Sequence, residues 1–440
     1  MSGVRKFISL FLGAALCCAV ALFSACEDKG KSTLLRAPAA AQDFSYSESG
    51  QEDFAAITSR AESFAAAFAA AAYAADEKGE NIAVSPVSVY MGLSLAAECA
   101  DGETKEELLA ALELSEEELR ADFHYLYRSL SDAFDTGMVT VGNSVWVNEG
   151  TQVKDECLDT LAEKYFAYSY AADFETDNEN ANQAVRYFVK EQTHGLIDTE
   201  FRLPPETYFA LINTLYLKDT WNLFGDDLAR TEDALTFTAA DGTTSLQRFL
   251  QGDYSVGAAY ETDVFSSYYT ATYRGYRLKF IVPKEGYTAD DVFTAENIAL
   301  VSGVSDYGGL DEESKTRVNT RCIFPEFHAS YDGDVADILR QSFGVDALFD
   351  PDAADLSALI APSAMDKGRA YCREVRHVTD LTVDRKGIEG AAVTVIPGAG
   401  ASDPGDYTDV YRDFVVDRAF GFVLTDRYGT TLFSGVVRSV

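Results

Sequence analysis

The run FALINTLYL, Phe209 to Leu217, carries no charge, and only Asn213 and Thr214 interrupt its aliphatic and aromatic side chains. A strand wet on one face alternates apolar and polar residues; this run does not, so both faces must be covered. The chain must therefore place layers on either side of a sheet, and 440 residues at 47% apolar content suffice for that. The covering layers read as helices in the first third. Apolar positions recur at helical spacing from Phe54 to Ala74. Ile82–Val84 reads as a short strand, Ser85 as a helix N-cap, Pro86 as a first helical residue that needs no amide hydrogen, and Gly102 as the far end of that helix. Further helices are expected over Thr104–Leu112 and within Glu116–Phe134. Strands are predicted at Met138–Val147, Tyr276–Val282, Arg321–Phe327, Val375–Val383 and Phe414–Leu424. Helices in front and long strands behind define an α+β domain. Neither an internal repeat nor a linker divides residues 53–440, which are expected to form one domain.

Residues 1–25 have the layout of an export signal: Arg5 and Lys6, then an uncharged run from Phe7 to Ala25, then Cys26. Leu22-Phe23-Ser24-Ala25-Cys26 is similar to a bacterial lipoprotein box, with Phe23 where an aliphatic residue is usual, and Cys26 is the expected lipidation site. A retained single-span anchor is the alternative. Residues 26–52, rich in Ala, Ser and acids, read as a flexible tether. The expected location is extracytoplasmic, lipid-anchored to the cell membrane or secreted. Cys99, Cys157, Cys322 and Cys372 then remain, read as buried free thiols with a Cys322–Cys372 disulfide as the alternative.

The balance of charge excludes several partners. With 36 basic against 71 acidic residues the net charge is −35, which repels nucleic acid and polyanionic sugars. His124, His194, His328 and His377 show no metal-ligand spacing, and no nucleophile elbow, phosphate loop or dinucleotide fingerprint occurs. No metal or cofactor is expected, and no catalytic centre.

Four blocks carry a resemblance. They are NIAVSPVSVYMGLSLAAECADGETKEELLAAL (Asn81 to Leu112), FALINTLYLKDTW (Phe209 to Trp221), FPEFHASYDGDVADILRQSFGVDALFDPDAADLSAL (Phe324 to Leu359) and FVVDRAFGFVLTDRYGTTLFSGVV (Phe414 to Val437). In order and spacing they resemble the serpins. The resemblance implies three β-sheets, about eight or nine helices and an exposed reactive loop, in a protein that inhibits serine proteases as a suicide substrate. It also implies a hydrogen-bonded latch of Ser85, Ser88, Asn213 and His377 under the main sheet, and Trp221 at the top of that sheet. From the residues alone, Ser85 is a helix cap, His377 a core side chain and Trp221 a core aromatic. The helix that binds heparin in some serpins corresponds to about Leu119 to Phe134, where only Arg120 and Arg128 stand among acids, so heparin is not an expected partner. A monomer is the family expectation.

The loop would lie in Val383 to Val410, with the hinge Gly387, Ile388, Glu389, Gly390, Ala391, Ala392, Val393 and Thr394. After cleavage the resemblance implies insertion as a new central strand, carrying an acyl-linked protease to the far pole. A strand has period two, so Ile388, Gly390, Ala392, Thr394, Ile396 and Gly398 would face the core, with Lys386 and Glu389 outward. Ile388, Gly390 and Arg385 depart from the residues usual there, and Pro397 lacks a ladder donor. Counting from the hinge puts the scissile bond at Ala401-Ser402, which suits elastase-like proteases. Counting back from Phe420 gives the runner-up Tyr407-Thr408, which suits chymotrypsin-like ones. A non-inhibitory serpin, cleaved as a substrate or acting as a binding protein, is the alternative function.

Overall fold

The computed structural model describes residues 29–41, 52–131, 138–221, 228–304, 307–361, 370–373, 375–389 and 407–440. Among them are nine α-helices: α1 (Glu52–Ala74), α2 (Pro86–Cys99), α3 (Gly102–Ala111), α4 (Glu116–Leu130), α5 (Asp155–Lys164), α6 (Asn178–Gln192), α7 (Ala289–Val292), α8 (Ala295–Gly303) and α9 (Ala336–Phe343). Hydrogen bonds run through thirteen strands in one path: β1 (Thr33–Arg36), β4 (Ala167–Ala172), β3 (Met138–Asn148), β5 (Phe209–Thr220), β18 (Gly387–Glu389), β17 (Arg376–Val383), β16 (Phe327–Asp334), β2 (Ile82–Val84), β21 (Thr431–Val437), β20 (Phe420–Thr425), β13 (Arg277–Pro283), β12 (Phe265–Ala271) and β11 (Tyr260–Glu261). A second sheet orders β10 (Ser255–Val256), β15 (Thr316–Phe324), β9 (Leu250–Gln251) and β6 (Ala229–Arg230), with β14 (Leu310–Asp311) and β19 (Thr408–Val415) also paired to β15. A third joins β7 (Leu235–Thr238) to β8 (Thr244–Gln247).

The two-sided burial expected of Phe209–Leu217 is present. Phe209, Leu215 and Leu217 join the main core with α1 and α2, while Ala210 and Ile212 join a second cluster containing Val185 and Phe188 of α6. The helix α2 lies beneath β5, and α6 crosses the opposite face. That layering fixes β5 as a central strand and positions whatever lies beside it.

Four expectations are corrected. Gly102 does not close α2, which ends at Cys99; it opens α3 at φ +52°, where the Asp101 carboxylate accepts its N–H at 2.9 Å. The run Arg321–Phe327 is two strands in different sheets, because Pro325 offers no donor between β15 and β16. Phe414–Leu424 also divides, β19 leaving the second sheet at Val415 and β20 entering the main one at Phe420. Finally, part of the stretch read as a flexible tether is laid down on the domain. β1 pairs antiparallel with β4, Lys31 N–H donates to Asn180 O (3.0 Å), Lys31 Nζ meets Asp177 (2.5 Å), and Arg36 meets Asp155 (3.0 Å) and Asp159 (3.1 Å). Gly30 permits this approach: at φ +64° a Cβ there would come within 2.3 Å of the Ala184 nitrogen. The tether reading failed because the backbone of an edge strand supplies the pairing, which side-chain composition does not display.

Deleting residues 29–41 re-exposes the β4 edge and is expected to lower the melting temperature by roughly 2–5 °C with the far-ultraviolet spectrum unchanged; an unchanged melting point would show that the strap contributes nothing.

Candidate functional site

Strands β5 and β17 are parallel neighbours that share no ladder of their own; β18 stands between them at one end, antiparallel to both. Gly387 pairs with Thr220, Ile388 with Asp219 and Val383, and Glu389 with Thr382. Gly387 is required by close approach, since a Cβ there would lie 2.0 Å from the Asp219 carbonyl oxygen. The Ile388 side chain is fully buried, and Glu389 turns outward to pair with Lys218 at 2.7 Å. The turn into β18 is closed by Asp384, whose carboxylate accepts the N–H groups of Lys386 (2.7 Å) and Gly387 (3.2 Å). Trp221 clasps the same turn: its indole N–H donates to Asp384 O (2.6 Å) and its backbone N–H to Lys386 O (3.3 Å), with the ring edge-on to Phe324. Arg385 N–H donates to Glu326 at 3.1 Å.

Farther along the gap lie the side chains expected as a latch. Ser85 does not cap α2 with its side chain. Its hydroxyl donates to Ser88 Oγ (3.0 Å), and its backbone N–H donates to His377 Nε2 (3.0 Å). An acceptor Nε2 makes His377 the neutral tautomer with its proton on Nδ1. Burial, with Phe68 edge-on to the ring, pushes the imidazole down to about 4. Next to it in β17, Thr379 Oγ1 donates to Ala83 O, 2.5 Å away. Across the gap, Asn213 does not reach His377. Its amide donates to Asn143 Oδ1, Asn143 in turn donates to Tyr165 O (3.1 Å), and the Asn213 carbonyl oxygen is buried without a partner. Ser85, Ser88 and His377 are thus joined, while Asn213 faces them from the other wall with an unmet acceptor. A concavity lined by Ser88, Gly92, Leu211, Asn213, Val375 and His377 separates the walls.

Gly387, Ile388 and Glu389 are described; Gly390, Ala391, Ala392, Val393, Thr394, Ala401, Ser402 and Cys26 lie outside the described residues. Thr408 opens β19, with Tyr407 just before it. Thr408 N–H donates to Lys315 O at 2.8 Å, and the Tyr407 hydroxyl bonds Glu312. Cys322 and Cys372 are buried thiols, so the alternative disulfide is not formed; Cys99 and Cys157 are also buried thiols, and the Cys157 thiol donates to Glu98 O at 3.9 Å. The sequence missed Asn143, Lys218, Asp384 and Glu326. The Asp384-x-x-Gly387 spacing signals a turn, but Lys218 and Asn143 act across strand pairings that one sequence does not reveal.

Among the described residues the site is a large α+β sheet in which β18 joins β5 to β17 at one end, with a clasped turn and a buried polar cluster beside it. The sequence profile of the family described as serpin (serine protease inhibitor) matches residues 59–440, and the chain belongs to the serpin family. It is 28% identical over 389 residues to a putative serpin-Z5 of Oryza sativa, covering 81% of this chain and 84% of that one. It is 26% identical over 369 residues to an alpha-1-antiproteinase of Callosciurus caniceps, covering 81% and 82%. In three dimensions it is similar to tengpin, a thermophilic serpin, in its native state, with TM-score 0.70, 23% identity and coverage of 93% of this chain and 100% of that one. Members of this family are in general inhibitors of serine proteases.

Two outcomes follow from this geometry. Gly387→Val is expected to expel β18, costing the Ile388 and Glu389 amides at least about tenfold in hydrogen-exchange protection while α1 and α2 keep theirs; retained protection would show that no close approach exists. His377 has its folded pKa depressed below the unfolded 6.5, so its contribution is complete above pH 6.5 and is lost as pH falls toward 4, an effect of about 3 kcal/mol. Chemical denaturation from pH 4 to 7 should show wild type gaining on His377→Gln over that window; parallel curves would contradict it.

Proposed function

We propose that this serpin is an inhibitor of elastase-like serine proteases, acting as a suicide substrate cleaved at Ala401-Ser402, whose freed segment enters the gap between β5 and β17. The observation that carries the reading is the register of β18. Continued along the gap, the same register sets residue 394 opposite His377 on one wall and Asn213 on the other. Thr394 would then offer a hydroxyl between a neutral imidazole and an unmet amide oxygen, and the core-facing phase begun by Ile388 would pass through Gly390 and Ala392, adding no charge to the core. From Gly387 to Ala401 an inserted strand spans roughly 46 Å, enough to draw a linked protease from one end of the sheet to the other. An acyl-enzyme dragged that far has its triad distorted before water can release it.

Between the two scissile bonds, the geometry favours Ala401-Ser402. A protease needs an extended peptide free to enter its cleft, and the Thr408 amide is already engaged by Lys315 O, just ahead of β15. Small residues around Ala401 suit a shallow apolar pocket. Cys26 as a lipidation site, an extracytoplasmic location and a monomeric state belong to the same reading. A second reading, a serpin cleaved as a plain substrate, is favoured by Arg385, Gly390 and Pro397, which depart from an efficient hinge.

Mixing the protein with elastase-type and chymotrypsin-type proteases is expected to give an SDS-resistant band at the summed mass, with the elastase-type enzyme preferred. Thr394→Arg forces a charge between His377 and Asn213, so it should abolish that band while cleavage continues; cleavage without a band in the wild type would select the second reading.

A further inference from the structure

The strap laid on the domain fixes where the chain enters it. Lys31 N–H donates to Asn180 O (3.0 Å) and Lys31 Nζ meets Asp177 (2.5 Å), both at the start of α6. One step earlier Gly30 lies against the Ala184 backbone, and the Lys29 ammonium sits 4.8 Å over the Tyr187 ring. The chain therefore arrives over α6 and turns from there into β1. Three residues take it from Cys26 to Lys29, a reach of at most about 10 Å. A lipid on Cys26 thus leaves the corner between β1 and α6 little room to stand off from the surface that holds the lipid.

That corner carries side chains suited to such a surface. Leu34, 49% exposed, stands opposite Tyr170 in register, so the two share the face of β1 and β4 on which α6 packs. Phe188 of α6 meets Tyr168 and Tyr170 edge-on at 5.7 and 5.9 Å, and Tyr170 stacks on Trp146 at 4.5 Å. Tyr168, Tyr170 and Tyr187 are each partly exposed. Half-embedded tyrosines beside lysines are the residues that settle at the level of lipid headgroups. Charge does not oppose this contact. Residues 29–36 and 177–198 hold five basic against four acidic side chains, in a chain with 36 against 71, so an anionic bilayer is not repelled here as it is elsewhere.

Register sets the hinge at the other end of the sheet. Thr33 is level with Ala171, Val147 and Phe209, whereas Gly387 is level with Thr220, which lies eleven residues, or about 36 Å, farther along β5. A domain resting on this corner therefore keeps its hinge clear of the bilayer.

We propose that the corner of β1 and α6, centred on Leu34, Tyr170 and Tyr187, is the surface by which the anchored protein rests on a lipid bilayer, with the hinge end of the sheet held away from it. This rests on the Cys26 lipidation reading, and the test separates the two. Cys99, Cys157, Cys322 and Cys372 are buried, so a fluorophore can be placed by one substitution, Glu179→Cys on the corner or Tyr411→Cys on the second sheet, whose Phe324 meets Trp221 beside the hinge. The acylated mature chain is held in vesicles of phosphatidylethanolamine and phosphatidylglycerol with nitroxide-labelled headgroups. Quenching is expected to be at least about threefold stronger at residue 179 than at 411, because a ~10 Å tether is short against the ~36 Å between the two ends of the sheet. Inserting about twenty Gly/Ser residues after Glu27 releases the domain from its short tether, so that only the corner's own side chains hold it down. Residue 179 should still be the more strongly quenched, and Leu34→Ser with Tyr187→Ser in that lengthened chain should erase the difference. Equal quenching at the two positions, in the wild type or in the lengthened chain, overturns the contact surface. A Cys26 found by mass spectrometry to carry no acyl chain ends the lipidation reading instead. The comparison is then made on the chain from residue 27 held by a hexahistidine tag on nickel-chelating lipid, where unequal quenching upholds the surface and equal quenching overturns it. Self-association of the wild type that Leu34→Ser abolishes assigns the corner to a second copy and also overturns the proposal.

Discussion

Backbone hydrogen bonding between β5 and β17 governs the rest of this structure. Two strands buried among helices share no ladder of their own, and among the described residues β18 supplies their partners over Gly387–Glu389. Buried peptide groups left without partners are costly, so what pairs with β5 and β17 beyond β18 decides the energy of this sheet. The layers around the two strands keep them from closing sideways. α2 packs beneath, α6 lies across β3 and β5, and β5 is tied along its length to β3.

What holds the gap in its present state is polar and local. At one end Trp221 and Asp384 clasp the turn, and Gly387 lets the chain pass within backbone contact of β5. Midway, His377 is committed to Ser85 and Asn213 to Asn143, so each wall is satisfied mostly within itself and one carbonyl oxygen is left over. A strand bringing a hydroxyl to that level completes the set. Networks of this sort cost most when partly satisfied, so under the proposed mechanism an entering segment would gain beyond its ladder bonds and apolar burial.

Much of this was legible in the sequence, where local chemistry spoke alone. The charge-free run at Phe209–Leu217 gave the central strand, Pro86 the start of α2, and Val375–Val383 the strand that carries His377. Elements defined by pairing were not legible. β1 has no apolar pattern and exists because β4 has a free edge; β19 and β20 read as one strand because the chain changes sheets between Val415 and Phe420 without a strong breaker. At the site, the family resemblance named Ser85, Ser88, Asn213 and His377 as a group, and the structure joins the first two to His377 while Asn213 pairs with Asn143. The Ser85 side chain, expected at a helix cap, serves Ser88 instead, because its backbone amide is drawn to the imidazole.

The central claim is that the sheet lowers its free energy by taking up its own severed loop. The direct measurement is calorimetry of the intact protein beside the protein cut once between Thr394 and Thr408. Completing a ladder over ten or so residues is worth on the order of 10 kcal/mol, so the cut form should melt roughly 10 °C or more above the intact one. A cut form that melts at or below the intact temperature would mean that the gap does not accept the segment.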